Sequence, residues 1–381
     1  MKSRAVELMP LALAASAAPL GTRRSVPSSP ASRRMRVTFN GETLSAWCLV
    51  IDARSADEKR EDLERGALKG STAVFFQGHA QRPTDAYPFT SALAVLSLSG
   101  ITAVPVCDTP YGTDPAWRGD NGKTVALMEV VRAALKPLGI RVQGCPPPAA
   151  GPVLVDAMPV DDGTCSLASG IMAMGWSHGG ILARRFAHAY PKCVSALGQV
   201  CPAGYERLTP LGLTGRFAAE ALRISKITAG SHSLDALRSA LGFTRGLTGD
   251  VARSLLSAAS SRFPARGVRA LLDIRDCSLL CDSTNFGVPG LTRVAVAFGR
   301  DDTCMSPKRI LGTDDPAGLT PEVAERFREA YFADLPGDAS LRVHILPGTH
   351  LGPVTHSRDY ARTILESLGE LVCDRGPGGA A

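Results

Sequence analysis

The chain lacks a hydrophobic run long enough to span a membrane. Its longest apolar stretch lies near Leu8–Leu20, and Pro10 interrupts it, whereas a spanning helix needs about 20 apolar residues. It also lacks a G-x-G-x-x-G or Walker pattern after a predicted strand, so nothing in the sequence indicates a nucleotide cofactor. These absences predict a protein with no membrane span and no bound cofactor.

A strong excess of charge is absent from most of the sequence. The net charge is +6, but six basic residues and one acidic residue fall within residues 1–34, which leaves only +1 for the remainder. A nucleic-acid-binding surface needs clustered lysine and arginine. We therefore expect no nucleic-acid partner for the body of the protein.

The cysteines lack the spacing of a metal site or of a disulfide framework. Ten cysteines are present, yet the pair Cys277 and Cys281 has no second pair at zinc-like spacing. A chain of this length also does not need disulfides for stability. The sequence predicts buried free thiols and no metal ion.

Residues 1–34 are predicted to be a disordered extension or a targeting segment, because alanine, proline, serine and arginine dominate them without a hydrophobic period. A basic start, an apolar stretch and Ala15–Ala17 resemble a secretory signal with its cleavage site. Glu7 and Pro10 weaken that interpretation, and Met35 offers an alternative start. We expect a cytoplasmic protein, with export through an N-terminal signal as the alternative.

What the chain does contain is an alternation of strand-like and helix-like segments from Met35 onward. Asn40-Gly41 predicts a hairpin turn, and the later short apolar runs are typical of strands buried on both faces. The pattern predicts an α/β protein with a mainly parallel sheet covered by helices on both faces. The predicted strands are Arg36–Phe39, Leu44–Ile51, Thr72–Phe76, Ile101–Val106, Val153–Val155, Ile171–Met174, Val194–Val200, Arg293–Phe298 and Arg342–Leu346, and the predicted helices are Tyr87–Leu98, Lys123–Leu138, Gly179–Tyr190, Pro321–Tyr331 and Arg358–Val372.

The alternation stops between Ala203 and about Asp276. Four helix-like segments follow one another there, and such a block predicts a helical lid over the carboxyl edge of the sheet. The segments are Arg216–Ile224, Leu234–Leu241, Asp250–Ala259 and Gly267–Ile274. The chain is thus predicted to consist of the extension 1–34, a first part of the core 35–203, a lid 204–276 and a second part of the core 277–381.

The segment from Gly170 to Gly180 is the most informative motif. An apolar run enters Gly175-x-Ser177-x-Gly179, and a helical pattern leaves it. This is the pattern of a nucleophile elbow, in which a serine occupies a sharp, strained turn between a strand and a helix. A glycine-rich turn whose serine merely caps the helix is the alternative.

Two further polar residues follow later predicted strands. Asp302 ends Gly299-Arg300-Asp301-Asp302, and His350 ends Pro347-Gly348-Thr349-His350. Ligands of open parallel sheets bind beyond the carboxyl ends of the strands. With the elbow and the chain order Ser, Asp, His, the sequence resembles the α/β-hydrolase family over roughly residues 36–373. The resemblance implies the α/β-hydrolase fold with a helical lid insertion.

The resemblance also implies a catalytic triad of Ser177, His350 and Asp302. Serine needs a base to become a nucleophile, and the acid orients the histidine and stabilises its charged form. Asp301 remains open as the acid, and His344 and His356 remain open as the base.

The resemblance implies an oxyanion hole built from two backbone N–H groups. One belongs to His178, directly after the nucleophile, and the other to His79, in the loop after Thr72–Phe76. The family commonly shows His-Gly in this loop, whereas this chain has Gln77-Gly78.

Trp176, Gly78 and Tyr111 are predicted to contact the substrate. The implied activity is hydrolysis of a carboxylic ester through an acyl-enzyme, on a small-molecule acyl substrate. Thioester or amide hydrolysis, acyl transfer, and a catalytically silent hydrolase-like binding protein stay open as alternatives. The oligomeric state is not predicted.

Overall fold

A computed structural model gives the conformation of the chain. It describes residues 24–25, 31–39, 42–78, 86–107, 122–142, 153–154, 166–168, 170–206, 209, 212, 215–216, 219–220, 287–288 and 290–372. The predicted lid helices from Leu234 onward lie outside these residues. Arg216–Ile224 is described only at residues 216, 219 and 220, all of which are helical.

Nine strands of the described chain form one sheet. The parallel strands follow the predicted apolar runs, and each carries residues buried on both faces. The order across the sheet is β11-β10-β9-β8-β3-β4-β2-β1-β6. The strands are β1 (Ala31–Phe39), β2 (Glu42–Asp52), β3 (Thr72–Phe76), β4 (Ile101–Cys107), β6 (Val153–Leu154), β8 (Ile171–Trp176), β9 (Val194–Val200), β10 (Arg293–Gly299) and β11 (Ser340–Leu346), while β5 (Ile140–Val142) and β7 (Ser166–Ala168) form a separate parallel pair.

Six neighbouring strands of the sheet, from β11 to β4, are parallel, and β2 joins their edge in the antiparallel direction. The carboxyl ends of the six strands therefore lie at one edge, and the loops that carry the predicted site residues meet there. The mainly parallel sheet predicted from the sequence is confirmed.

Eight α-helices are described from end to end. They are α1 (Ala56–Arg65), α2 (Tyr87–Leu96), α3 (Gly122–Leu135), α4 (His178–Ala189), α5 (Pro307–Ile310), α6 (Pro321–Tyr331), α7 (Gly352–Thr355) and α8 (Ser357–Ser367). None of the described helices combines the length and the apolar character that a membrane crossing would require.

The helices cover both faces of the sheet. One hydrophobic cluster joins α3, α4 and α6 to the sheet through residues such as Met128, Phe186 and Phe327. A second joins α2 and α8 to the other face through residues such as Phe89 and Ile364. Because successive strand residues point to opposite faces, the sheet contributes to both clusters.

The structure extends the predicted hairpin toward the N-terminus. Residues 31–34 pair with residues 47–50 as part of β1, so the predicted boundary at residue 34 cuts through a strand. Arg24 is also bound to the body of the protein, because its guanidinium pairs with Glu58 at 2.7 Å and donates to the carbonyls of Ser97 and Leu98. The part of the predicted extension described here is therefore ordered against the core.

The cysteine prediction needs one correction. Cys48, Cys201 and Cys304 are buried free thiols, as expected. Cys193, however, forms a disulfide whose other cysteine is not among the described side chains. Cys277 and Cys281 lie outside the described residues.

Candidate active site

Ser177 occupies the turn between β8 and α4. Its backbone has φ 55° and ψ −123°, a conformation that L-residues other than glycine rarely adopt and that costs on the order of 1–3 kcal/mol. Its backbone is held by hydrogen bonds from Ser177 N–H to the Val200 carbonyl and from Ala203 N–H to the Ser177 carbonyl. The serine side chain does not cap the helix, which argues against the capping alternative.

Glycines make this turn sterically feasible. A Cβ atom at Gly179 would lie 1.9 Å from the carbonyl oxygen of Phe76, and one at Gly175 would lie 2.1 Å from the carbonyl oxygen of Gly179. Both contacts are with backbone atoms that cannot move aside. The crossing of β3, β8 and α4 thus requires glycine at both positions of the motif.

Asp302 and His350 come together at the ends of β10 and β11. His350 Nδ1 lies 2.8 Å from Asp302 Oδ2, and Met305 N–H donates to Asp302 Oδ1 at 2.8 Å. Both side chains are buried. Because a carboxylate only accepts hydrogen bonds, Nδ1 carries the proton, which leaves Nε2 as the basic atom.

The loops after β10 and β11 also bind each other through their backbones. Arg300 N–H donates to the Leu346 carbonyl and Asp301 N–H to the Gly348 carbonyl. A Cβ at Gly299 would lie 2.6 Å from the Thr349 carbonyl oxygen. The close approach of the two loops therefore depends on a glycine at the end of β10.

The pKa of His350 lies above its ordinary value of 6.5. Burial lowers it, but the charge of Asp302, the hydrogen bond to Asp302 and the charge of Glu220 together outweigh burial. His344, by contrast, lies on β11 and its Nε2 is 2.8 Å from Ser367 Oγ. Burial, with a smaller effect of Arg342, lowers the pKa of His344 to about 4.

Among the candidate residues, the structure pairs His350 with Asp302. His356 directly precedes α8, and its Nδ1 is 2.9 Å from Thr355 Oγ1. Asp301 makes its described backbone contact with Gly348.

Trp176 supports the histidine loop. Its side chain is buried, and its indole N–H donates to the carbonyl of His350 at 3.0 Å. The sequence interpretation gave Trp176 a role in substrate binding. In the structure, the described contact of this side chain is with the backbone of the histidine, so the residue before Ser177 is tied directly to His350.

The sequence interpretation missed Glu220. This carboxylate, from the segment between β9 and β10, is fully buried and accepts the backbone N–H of His350 at 2.7 Å. It also accepts the hydroxyl and the backbone N–H of Thr303. No local motif marks it, since Glu220 and His350 are 130 residues apart.

Two thiols complete the surroundings of the acid. Cys201 Sγ, Asp302 and His350 offer atoms within 4.8 Å of one another, and so do Cys304, Glu220 and Asp302. Burial is the largest of the effects that raise the pKa of both thiols well above 9.0, so they are neutral near pH 7. Cys201 has φ 42° and directly follows β9.

The predicted oxyanion and substrate residues are only partly described. His178 is the first residue of α4, and Gly78 is buried beyond the end of β3. His79 and Tyr111 lie outside the described residues.

The strand order decides the identity of the fold. From β1 to β11, the order β1-β2-β4-β3-β8-β9-β10-β11, with β2 antiparallel and a serine on a strained turn after β8, is that of one fold family. The chain has the α/β-hydrolase fold. The sequence-based expectation of this fold is confirmed.

Solved structures with the α/β-hydrolase fold resemble the chain at low identity. A thermophilic esterase from Thermogutta terrifontis is 13% identical with a TM-score of 0.46, covering 89% of this chain and 98% of that chain. A probable hydrolytic enzyme from Pseudomonas aeruginosa PAO1 is 15% identical with a TM-score of 0.46, covering 91% and 96%. An alpha/beta hydrolase fold protein from Nakamurella multipartita is 18% identical with a TM-score of 0.40, covering 88% and 99%.

No protein-family model and no curated protein matches the sequence. The fold is therefore identified from the strand order and the elbow of this chain.

Proposed function

We propose that the protein is a serine hydrolase that cleaves a carboxylic ester of a small molecule through an acyl-enzyme. Ser177 is the nucleophile, His350 the general base and Asp302 the acid that orients it. The observation that carries the proposal is the hydrogen bond of 2.8 Å between His350 Nδ1 and Asp302, formed at the same sheet edge as the strained serine.

The proton path follows from this hydrogen bond. His350 Nε2 takes the proton of Ser177 as Oγ attacks the acyl carbon, and then gives it to the leaving alcohol. Asp302 keeps Nδ1 protonated and stabilises the imidazolium. Water repeats the sequence in the second half of the reaction, releasing the acid and regenerating the serine.

The developing oxyanion needs donors that are already in place. The backbone N–H of His178 begins α4, where the helix dipole favours negative charge. His79 supplies the second backbone N–H in this proposal, with Gly78 allowing close approach of the substrate. Tyr111, Trp176 and the predicted lid at residues 204–276 complete the binding region.

A serine-directed probe tests the assignment of the nucleophile. A fluorophosphonate should label the native protein, and peptide mass spectrometry should place the label on Ser177. Ser177→Ala should abolish labelling while leaving the circular dichroism spectrum unchanged. A label on another serine would reject Ser177.

A matched substrate panel tests the reaction class. Esters, thioesters and amides that share one acyl group should show the largest kcat/KM for the ester. A preference for the thioester or amide would change the class while keeping the triad. Probe labelling without hydrolysis, together with formation of the acylated acceptor when an alcohol or amine is added, would indicate acyl transfer. Absence of both probe labelling and turnover would favour a silent binding protein.

A further inference from the structure

Glu220 is a buried carboxylate without a role in the mechanism above. Its side chain is 0% exposed, although it comes from the segment inserted between β9 and β10. The carboxylate accepts three hydrogen bonds, one from the backbone N–H of His350 and two from Thr303. Burying a carboxylate is costly unless hydrogen bonds or a counter-charge compensate it, so its place beside His350 calls for a physical explanation.

The three donors to Glu220 are neutral groups, two backbone N–H groups and one hydroxyl, and the carboxylate of Asp302 lies nearby. An oxygen of Glu220, an oxygen of Asp302 and Cys304 Sγ lie within 4.8 Å of one another. Two carboxylates at such a distance repel each other. A positive charge on His350, which is hydrogen-bonded to Asp302 through its side chain and to Glu220 through its backbone, relieves that repulsion.

Among the described residues, two thiols, a phenol and a guanidinium are the other ionisable groups near the pair. The thiols of Cys201 and Cys304 and the phenol of Tyr360 have pKa values raised well above their ordinary values, with burial as the largest cause, and they are neutral near pH 7. The guanidinium of Arg216 donates to the carbonyl of Cys304.

That guanidinium is already paired with Glu206, Nη2 to Oε1 at 2.6 Å. The positive charge of Arg216 is therefore balanced by Glu206. The imidazole of His350 remains the group next to both buried carboxylates whose charge changes during acyl transfer.

We propose that Glu220 is a positioning residue for His350: its carboxylate fixes the backbone of the histidine and, together with Asp302, stabilises the imidazolium. This inference rests on the proposed function for its catalytic meaning. It also joins the inserted segment to the catalytic base, because the segment supplies the acceptor for the His350 N–H.

The direction of the effect follows from the charges. Negative charge favours the protonated imidazole, in keeping with the raised pKa of His350. A base must be neutral to accept a proton, so activity falls as the pH drops through this pKa. Removal of the Glu220 charge should lower the pKa and extend activity to more acidic pH.

Glu220→Gln tests the charge with little change of shape. NMR titration of [13Cε1]-histidine-labelled protein, with the His350 signal identified by its loss in His350→Gln, should show a pKa lower by on the order of one unit. The acid limb of the pH profile of kcat/KM should move by the same amount.

The matched control is Glu370→Gln. Glu370 is also buried, and accepts the N–H and hydroxyl of Ser71 and the guanidinium of Arg293 at the opposite edge of the sheet. This variant should leave the titration of His350 at its native position. An equal shift in both variants would mean a general effect of losing a buried charge and would overturn the proposal.

Glu220→Asp separates charge from position. It keeps the negative charge but shortens the side chain by one methylene, so the pKa of His350 should stay above 6.5 while kcat falls. If Glu220→Gln does not fold, kcat of folded Glu220→Asp decides, because Asp302 alone would keep the pKa of His350 raised. An unchanged kcat in this variant contradicts the proposal. An unshifted pKa in folded Glu220→Gln also contradicts it.

The NMR titration needs no turnover. A protein that hydrolyses nothing yet shows the shift would refute the proposed function and keep the electrostatic link. Full hydrolysis with an unshifted titration would refute the link and keep the function.

Discussion

The two edges of the sheet each hold a buried glutamate, but they balance its charge differently. At the amino edge, Glu370 accepts two hydrogen bonds from Ser71 and pairs with Arg293 at 3.1 Å. At the carboxyl edge, Glu220 accepts hydrogen bonds from the backbone N–H of His350 and from Thr303, and the charge that we propose to balance it is that of the His350 imidazolium. Arginine keeps its charge at all relevant pH values, whereas histidine gains and loses one near neutrality.

This difference distinguishes a network with a structural role from the network to which we assign the reaction. The ion pair of the amino edge keeps one charge state. The described residues that have positive φ next to Glu370 at this edge are glycines, Gly70 and Gly369. The carboxyl edge combines a titratable partner with two non-glycine residues at positive φ, Ser177 and Cys201. Backbone strain and groups that titrate near neutral pH are typical of functional sites. Both are found here at the carboxyl edge of the sheet.

The test with the largest expected effect replaces one serine at each edge of the sheet by alanine. Ser177→Ala should reduce kcat on the order of 10⁶-fold, because the proposed mechanism uses its hydroxyl as the nucleophile. The free energy of unfolding should not fall, because this side chain does not cap the helix. Ser71→Ala should lower the free energy of unfolding and leave kcat unchanged, because the Ser71 hydroxyl donates a hydrogen bond to Glu370 at 2.9 Å. Steady-state kinetics and urea unfolding measure kcat and the free energy of unfolding of both variants. A loss of activity in Ser71→Ala would contradict a purely structural role for the amino edge.

Neighbouring aspartates at the carboxyl edge give the next largest effect. Asp302→Asn should lower kcat by roughly 10⁴-fold, because an amide no longer favours the correct histidine tautomer. Asp301→Asn should have a much smaller effect, since the hydrogen bond of His350 goes to Asp302. Kinetics above and below neutral pH compare the two, and a reversed ranking would make Asp301 the acid.

The pKa values of His344 and His350 shift in opposite directions, and we therefore expect opposite contributions to the pH dependence of stability. The pKa of His344 falls to about 4 on folding, so its contribution is complete above 6.5 and is lost as the pH falls toward 4. The cost should reach about 3 kcal/mol. His350 has the opposite sign, because its pKa is raised: its contribution is present below 6.5 and is lost as the pH rises through its folded pKa.

Urea unfolding between pH 4 and 7 measures the His344 effect. His344→Gln should flatten the acid-side loss of stability, while Thr363→Ser, on the facing helix α8, is the control for packing. An identical acid dependence in His344→Gln and native protein would reject the assignment of this loss to His344.

Glu370→Gln should show the smallest effect. The amide keeps an acceptor for Ser71 but loses the ion pair with Arg293, whose side chain is 33% exposed. We expect a loss of about 2 kcal/mol in the free energy of unfolding with unchanged kcat/KM. A matching loss of activity would mean that the two edges are coupled through the sheet.

Local patterns predicted most of the fold. The parallel strands were predictable because short continuous apolar runs between turn residues are typical of strands buried on both faces. Helix α3 was predictable because Leu127, Met128 and Val131 recur at helical spacing, and all three are buried. Helix α1 was missed because only its Asp62 is buried, which leaves no apolar stripe. Its capping box, Ser55 with Glu58, was the available signal.

The candidate site was predictable where one residue follows one strand. Ser177, Asp302 and His350 could be proposed because each lies a few residues beyond an apolar run. Glu220 and the contact of Trp176 could not, because they arise from tertiary packing: the Trp176 bond spans 174 residues of chain. Pairwise contacts of this kind leave no period or spacing in a single sequence.

The indole of Trp176 gives the protein an optical reporter. Its ring centroid lies 6.1 Å from that of His350, and an imidazolium quenches excited indole more strongly than a neutral imidazole does. The chain has three tryptophans, so the emission that changes with pH in native protein but not in Trp176→Phe belongs to this one. Protonation of His350, and any change of it on acylation of Ser177 as proposed, can thus be followed by tryptophan fluorescence without a chromogenic substrate.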